Sequence, residues 1–170
     1  EIGRNELSAI QVAKAYADAQ REYFARDRNG DGVPEYAQKI ASSAGKMDGL
    51  YWPSSANGEA SPLGRLLADA AADKGRKPGS YHGYSYRILT AQGQDAPGGA
   101  RSYLADGRMT GGFGLLAWPT TYGKSGIMSF MINQDGQVYE KNLGTGTTGQ
   151  VARIKTFNPD ATWRKVTENQ

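Results

Sequence analysis

An amphipathic pattern runs without interruption from about residue 6 to residue 26, and it constrains the fold more than any other feature of the chain. Ile10, Ala13, Ala17 and Phe24 form one apolar stripe, and Val12, Tyr16, Ala19 and Tyr23 form another beside it. Together they cover about half the circumference at roughly 100° per residue. Lys14, Asp18, Arg21 and Glu22 share the opposite side. So wide an apolar face is better buried against a broad, flat surface such as a β-sheet, with its charged side in water. Asn5 is the expected N-cap.

The period changes to two in the second half of the chain. Tyr84, Tyr86 and Ile88 alternate with Ser85, Arg87 and Leu89, which predicts a half-buried strand. Residues 113–118 and 127–132 are two more apolar runs of strand length. Asn133-Gln134-Asp135-Gly136 is a turn signal, and residues 137–141 return as its partner strand. The glycine-rich stretch 92–112 is expected to be a long excursion with a tight turn at Asp106-Gly107. The tail predicts a short helix near residues 151–155 and an edge strand over 163–166.

Between the two halves the pattern predicts a short helix over residues 35–42 and a turn-rich loop carrying Leu50-Tyr51-Trp52-Pro53. Ser61-Pro62 then reads as a cap and first-turn proline, opening a helix to about residue 73. The basic cluster over 74–79 fits a solvated helix C-terminus better than an anion site. No repeat or linker interrupts the chain, so one domain is expected over 1–170, helical over about 5–75 and sheet over about 80–166. Helices preceding strands indicate an α+β fold with an antiparallel sheet, not a doubly wound one.

At 170 residues, 38% hydrophobic and 22% charged, the chain is long enough to bury a real core. A net charge of +3 with scattered cations argues against a nucleic-acid surface. The absence of cysteine removes disulfides, thiolate metal sites and a cysteine nucleophile, and is compatible with either redox compartment. No apolar run is long enough to span a bilayer. A start at Glu1 rather than methionine suggests a mature or trimmed product, from which any export or anchor segment would be missing.

Just after the long helix, Asp27, Asn29 and Asp31 place oxygen ligands at positions 1, 3 and 5 of a loop with Gly32 at position 6. That is the front half of an EF-hand-type calcium loop, to which the Val33 carbonyl and Glu35 would add positions 7 and 9. The back half departs from it, with Gln38 in place of the bidentate glutamate and Pro34 at position 8. Asp, Asn and Gly also dominate ordinary turns. Two alternatives therefore stand: a helix-terminating turn, or a structural cation site for which calcium is the candidate, all the ligands being hard oxygens.

No catalytic group is indicated. His82 is the sole histidine and has neither an acid nor a nucleophile turn beside it. Glu22, Asp27, Asp31 and Glu35 are close in sequence, but spacing alone does not set two carboxylates across a cleft. Tyr51, Trp52, Tyr81, His82, Tyr84 and Tyr122 are the candidate ligand-binding residues, able to stack on a glycan or peptide; half-buried sheet aromatics explain them equally well.

The order of elements resembles that of pilins and pseudopilins, with the likeness carried by residues 7–23 and by the strand motifs from Gly83 onward. A closer resemblance carries over nearly the whole chain. The runs Tyr16-Ala17-Asp18-Ala19-Gln20-Arg21-Glu22-Tyr23, Asp48-Gly49-Leu50-Tyr51-Trp52-Pro53, Tyr81-His82-Gly83-Tyr84 and Tyr139-Glu140-Lys141-Asn142-Leu143-Gly144 resemble the bacterial family called domain of unknown function 2950. The resemblance implies an exported protein, periplasmic or associated with the cell envelope, and assigns no activity. The expectation is a non-catalytic binding or assembly domain whose partner is an envelope protein or glycan. The alternative is an envelope hydrolase using carboxylates near the end of the first helix.

Overall fold

The computed structural model describes residues 1–27, 30–53, 60–64 and 80–167. It opens with α1 (Ile2–Phe24), a single helix of 23 residues. Ten strands follow among the described residues: β1 (Ser80–Tyr81), β2 (Tyr84–Leu89), β3 (Ala91–Gln92), β4 (Arg101–Ser102), β5 (Leu104–Ala105), β6 (Arg108–Met109), β7 (Gly114–Pro119), β8 (Met128–Asn133), β9 (Tyr139–Asn142) and β10 (Arg164–Lys165). A 3-10 turn at Gly144–Gly146 leads into α2 (Thr147–Val151), ahead of β10. Six strands form one sheet in the order β1-β2-β7-β8-β9-β10, every pair antiparallel. The fold is α+β, as the sequence pattern indicates.

The register divides the core in two. Tyr86 lies opposite Ala117, and Ala117 opposite Phe130, while Ile88, Leu115 and Ile132 form the next row. These side chains face α1 and pack with Val12, Ala13, Tyr16 and Ala17. Leu89, Leu116 and Met131 point the other way, into a second cluster with Leu143, Val151 and Phe157. The centre of the sheet, β7 and β8, is therefore buried on both faces. That explains the nearly continuous apolar runs of β7 and β8, which alternation would not produce. It also corrects the half-buried expectation for β2, where Tyr84, Ser85 and Tyr86 are all buried.

Polar side chains fix α1 to the rest along its length. The Asn5 amide donates to the Ser125 carbonyl at 2.9 Å, and Glu6 Oε2 accepts from the Ile127 and Met128 N–H groups at 3.0 and 2.9 Å. Tyr16 donates to the Gly114 carbonyl at 3.0 Å. Asn5 is thus not the N-cap; the helix begins one turn earlier, with Glu1 at the cap position.

Three other expectations are corrected or moved. Residues 35–42 are not helical: Tyr36 N–H donates to the Met109 carbonyl, and the Lys39 and Ile40 carbonyls accept from Leu50 and Tyr51. Lateral partners satisfy that backbone, so no helical ladder is needed. The tail helix lies at Thr147–Val151, four residues ahead of the predicted start. The proline-led helix from Ser61 and the basic cluster over 74–79 fall mostly outside the described residues. The Asp106-Gly107 hairpin and the 163–166 edge strand are present as β5–β6 and β10.

Candidate functional site

Beside the C-terminal end of α1, the extended segment 35–48 closes a cleft of about 570 Å³. Two contacts tie that segment down. Gln20, fully buried on α1, pairs with both backbone groups of Ala37 at 2.8 Å, and the Tyr23 hydroxyl donates to the Met47 carbonyl at 2.9 Å. The aromatic wall is Tyr36, stacked on Phe24 at 4.4 Å and edge-on to Phe113 at 5.0 Å. Met47 adds a half-buried thioether. The volume lies within the roughly 300–1,000 Å³ typical of small-ligand sites.

The polar lining is balanced: Lys39 and Lys46 against Glu35 and Asp48. Asp48 is held by the Ser43 N–H at 2.7 Å, the Ser43 hydroxyl at 2.9 Å and the Lys39 ammonium at 3.1 Å. Partial burial pushes its carboxyl up, but these donors outweigh that and hold its pKa at about 2. Donors to a carboxylate favour its charged form. Asp48 is therefore an anion at neutral pH and has no proton to give.

The candidate cation loop folds back on itself. Asp27 accepts from Gly30 N–H at 3.0 Å and from Gly32 N–H at 2.6 Å. Asp31 accepts from Val33 N–H at 2.9 Å through one oxygen and from Arg108 Nε at 2.9 Å through the other. The Asp31 hydrogen bond raises the Arg108 guanidinium pKa further. Val33 follows in the turn, Glu35 lines the cleft, and Asn29 lies outside the described residues. Among the described residues, no group of three or more His, Asp or Glu side chains gathers to hold a metal.

The aromatic candidates separate. Trp52 and Tyr84 are in the core, and the Tyr84 hydroxyl donates to the Met128 carbonyl at 2.6 Å. Tyr51 is half-buried, and its backbone bridges to Ala41. Tyr81 and His82 are brought together at the β1–β2 turn with rings 4.0 Å apart, and Tyr122 donates to Asn142 at 2.8 Å. Sequence reasoning missed Tyr36 as a cleft residue because the helix expected over 35–42 concealed the extended segment, and Met47 and Asp48 because they fall in the turn-rich loop expected after it. The Asp48-Gly49 step was the available signal: a Cβ on Gly49 would lie 2.8 Å from the Ala41 backbone, so only glycine permits that close approach.

The family model for protein of unknown function (DUF2950) matches residues 1–166. The chain belongs to this family. Comparison with curated proteins and with solved structures gives no match. For this DUF2950 member the comparison with solved structures gives no support to the pilin likeness. No helix among its described residues is long and apolar enough to cross a membrane.

Proposed function

We propose that this DUF2950 chain is a non-catalytic binding domain of the bacterial cell envelope, taking a segment of envelope protein or glycan in the Tyr36–Met47 cleft. The observation that carries the reading is the state of Asp48, whose carboxylate is committed to Ser43 and Lys39 in a charge-balanced cleft that also carries Tyr23 and Tyr36. Such a lining suits stacking and hydrogen bonding to a neutral polymer better than proton transfer. Export is the part of the reading that rests on the family resemblance.

The test is a titration of the isotope-labelled chain with soluble peptidoglycan fragments, which present glycan and peptide together. Amide shifts should saturate over residues 36–48 and disappear in Met47→Asn. Equal binding by that variant, with its fold retained by circular dichroism, would remove the cleft from the proposal.

A hydrolase is the second reading, favoured by one observation: Glu35 and Asp48 line the same cleft. Acid–base hydrolysis needs one carboxyl that retains its proton near neutrality. Asp48 is driven in the opposite direction. Release of reducing ends or peptides from peptidoglycan, abolished by Glu35→Gln, would reverse the order of the two readings.

A further inference from the structure

The layer over the second face of the sheet leaves a recess of about 250 Å³ between β8, β9, α2 and residues 153–163. Met131, Ile154 and Trp163 supply apolar lining, and three cations, Lys141, Arg153 and Lys155, meet one carboxylate, Asp160. Asp160 is already engaged, accepting from the Thr162 N–H at 2.8 Å and from the Thr162 hydroxyl. Those two bonds lower its pKa and keep it ionised, with Lys141 beside it bonded to the same Thr162 hydroxyl at 2.9 Å. The Asp160 charge is thus offset locally by Lys141.

Arg153 is exposed, as is Lys155, and neither has a side-chain hydrogen bond or ion pair among the described residues. The C-terminal carbonyls of α2 would ordinarily oppose an anion here. They are neutralised from the sheet side, where Arg87 donates to the Val151 carbonyl at 2.8 Å and to the Ile154 carbonyl. Arg87 is itself held over the Trp118 ring at 5.5 Å. Two cations therefore remain uncompensated at the mouth of a recess with an indole wall.

We infer that this recess binds a phosphomonoester on a small organic carrier, with Arg153 and Lys155 on the phosphate and the carrier against Trp163. A guanidinium fork and a point-charge ammonium together match a dianionic phosphate in charge and in kind of donor. The recess lies below the roughly 300–1,000 Å³ of drug-sized pockets, so it fits a headgroup-sized ligand and not a polymer. It is separate from the cleft beside α1 and does not depend on that cleft's ligand.

The experiment uses the whole chain with two probes: soluble glycerol 3-phosphate, and phosphatidylcholine vesicles with and without phosphatidic acid. Glycerol 3-phosphate should give saturable shifts of the Trp163 indole and of the amides over 153–156. Arg153→Glu with Lys155→Glu should weaken binding about tenfold or more, as loss of charge-assisted contacts requires. Both sites are exposed, so circular dichroism should be unchanged. Binding to the phosphatidic acid vesicles alone, lost in the same variant, supports the site and makes its ligand a lipid headgroup. No response to either probe, or equal responses from the charge-reversed variant or from sodium chloride at matched ionic strength, would overturn the inference.

Discussion

Gln20 on α1 pairs with Ala37 as a neighbouring strand would: its Oε1 accepts from the Ala37 N–H and its Nε2 donates to the Ala37 carbonyl, both at 2.8 Å. The same Nε2 also donates to the Tyr16 hydroxyl at 3.0 Å, within a site closed to water. One helix side chain thus supplies both backbone hydrogen bonds that Ala37 would have made in a helix. Gln20→Ala would strand two buried backbone groups, each costing about 1–3 kcal/mol. The expected loss is about 2–5 kcal/mol, read as a fall in the urea midpoint with little change in slope. A loss below about 1 kcal/mol would mean that the segment holds its place without the amide.

Gly126 and Tyr84 make a second prediction, because a Cβ on this glycine would lie 2.3 Å from the Tyr84 hydroxyl oxygen. The ring cannot retreat easily, since its hydroxyl is bonded to the Met128 carbonyl at 2.6 Å and Tyr84 is fully buried. Gly126→Ala should cost about 1–3 kcal/mol by overpacking. Pairing it with Tyr84→Phe, which removes the clashing oxygen, should recover part of that cost. Thermal unfolding of the single and double variants measures the difference, and no recovery would place the strain elsewhere.

The long helix was legible because its apolar face is wide, and the central strands because their apolar runs end in turn residues. Asn133 to Gly136 shows this directly: the Asx and glycine residues that mark a turn in sequence do close one, with Gly136 N–H donating to the Asn133 carbonyl at 2.9 Å. What escaped were long-range polar contacts. Gln20 and Glu6 look like surface residues in a helical pattern and Asn5 like its cap, and only partners 17 to 122 residues away give them their structural role. The cleft was hidden for the same reason, since Tyr36 and Met47 line it on a segment whose backbone is satisfied from α1, β6 and residues 50–51 rather than by a helical ladder.

Acid titration isolates the Asp48 cluster. Its carboxyl is held at about 2, below the unfolded value of about 3.9. A depressed folded pKa contributes stability above the unfolded pKa, and that contribution is lost as pH falls through the folded value. Stability should therefore drop between about pH 4 and pH 2, and Asp48→Asn should flatten that part of the profile. The Asp48 side chain is 36% exposed and its Lys39 partner 51%, so the effect should be small and salt-sensitive. A profile identical in the two proteins would assign the acid limb to other carboxylates.

The Asp27 loop gives the last prediction. Both Asp27 oxygens accept backbone N–H groups, and one oxygen of Asp31 is paired with Arg108 across 77 residues of sequence. A calcium ion would have to displace the Gly30 and Gly32 donors and expel a guanidinium whose charge already occupies the Asp31 side of the loop. Those contacts favour the turn over the cation site. Millimolar calcium should leave the thermal midpoint unchanged, because a ligand stabilises only in proportion to its binding to the folded state. Asp31→Asn and Arg108→Gln should each loosen the contact between the loop and β6, seen as faster amide exchange at Gly32 and Val33. A calcium-dependent rise in the midpoint, lost in Asp27→Asn, would show that the loop opens to a cation at a cost the Arg108 pair does not prevent.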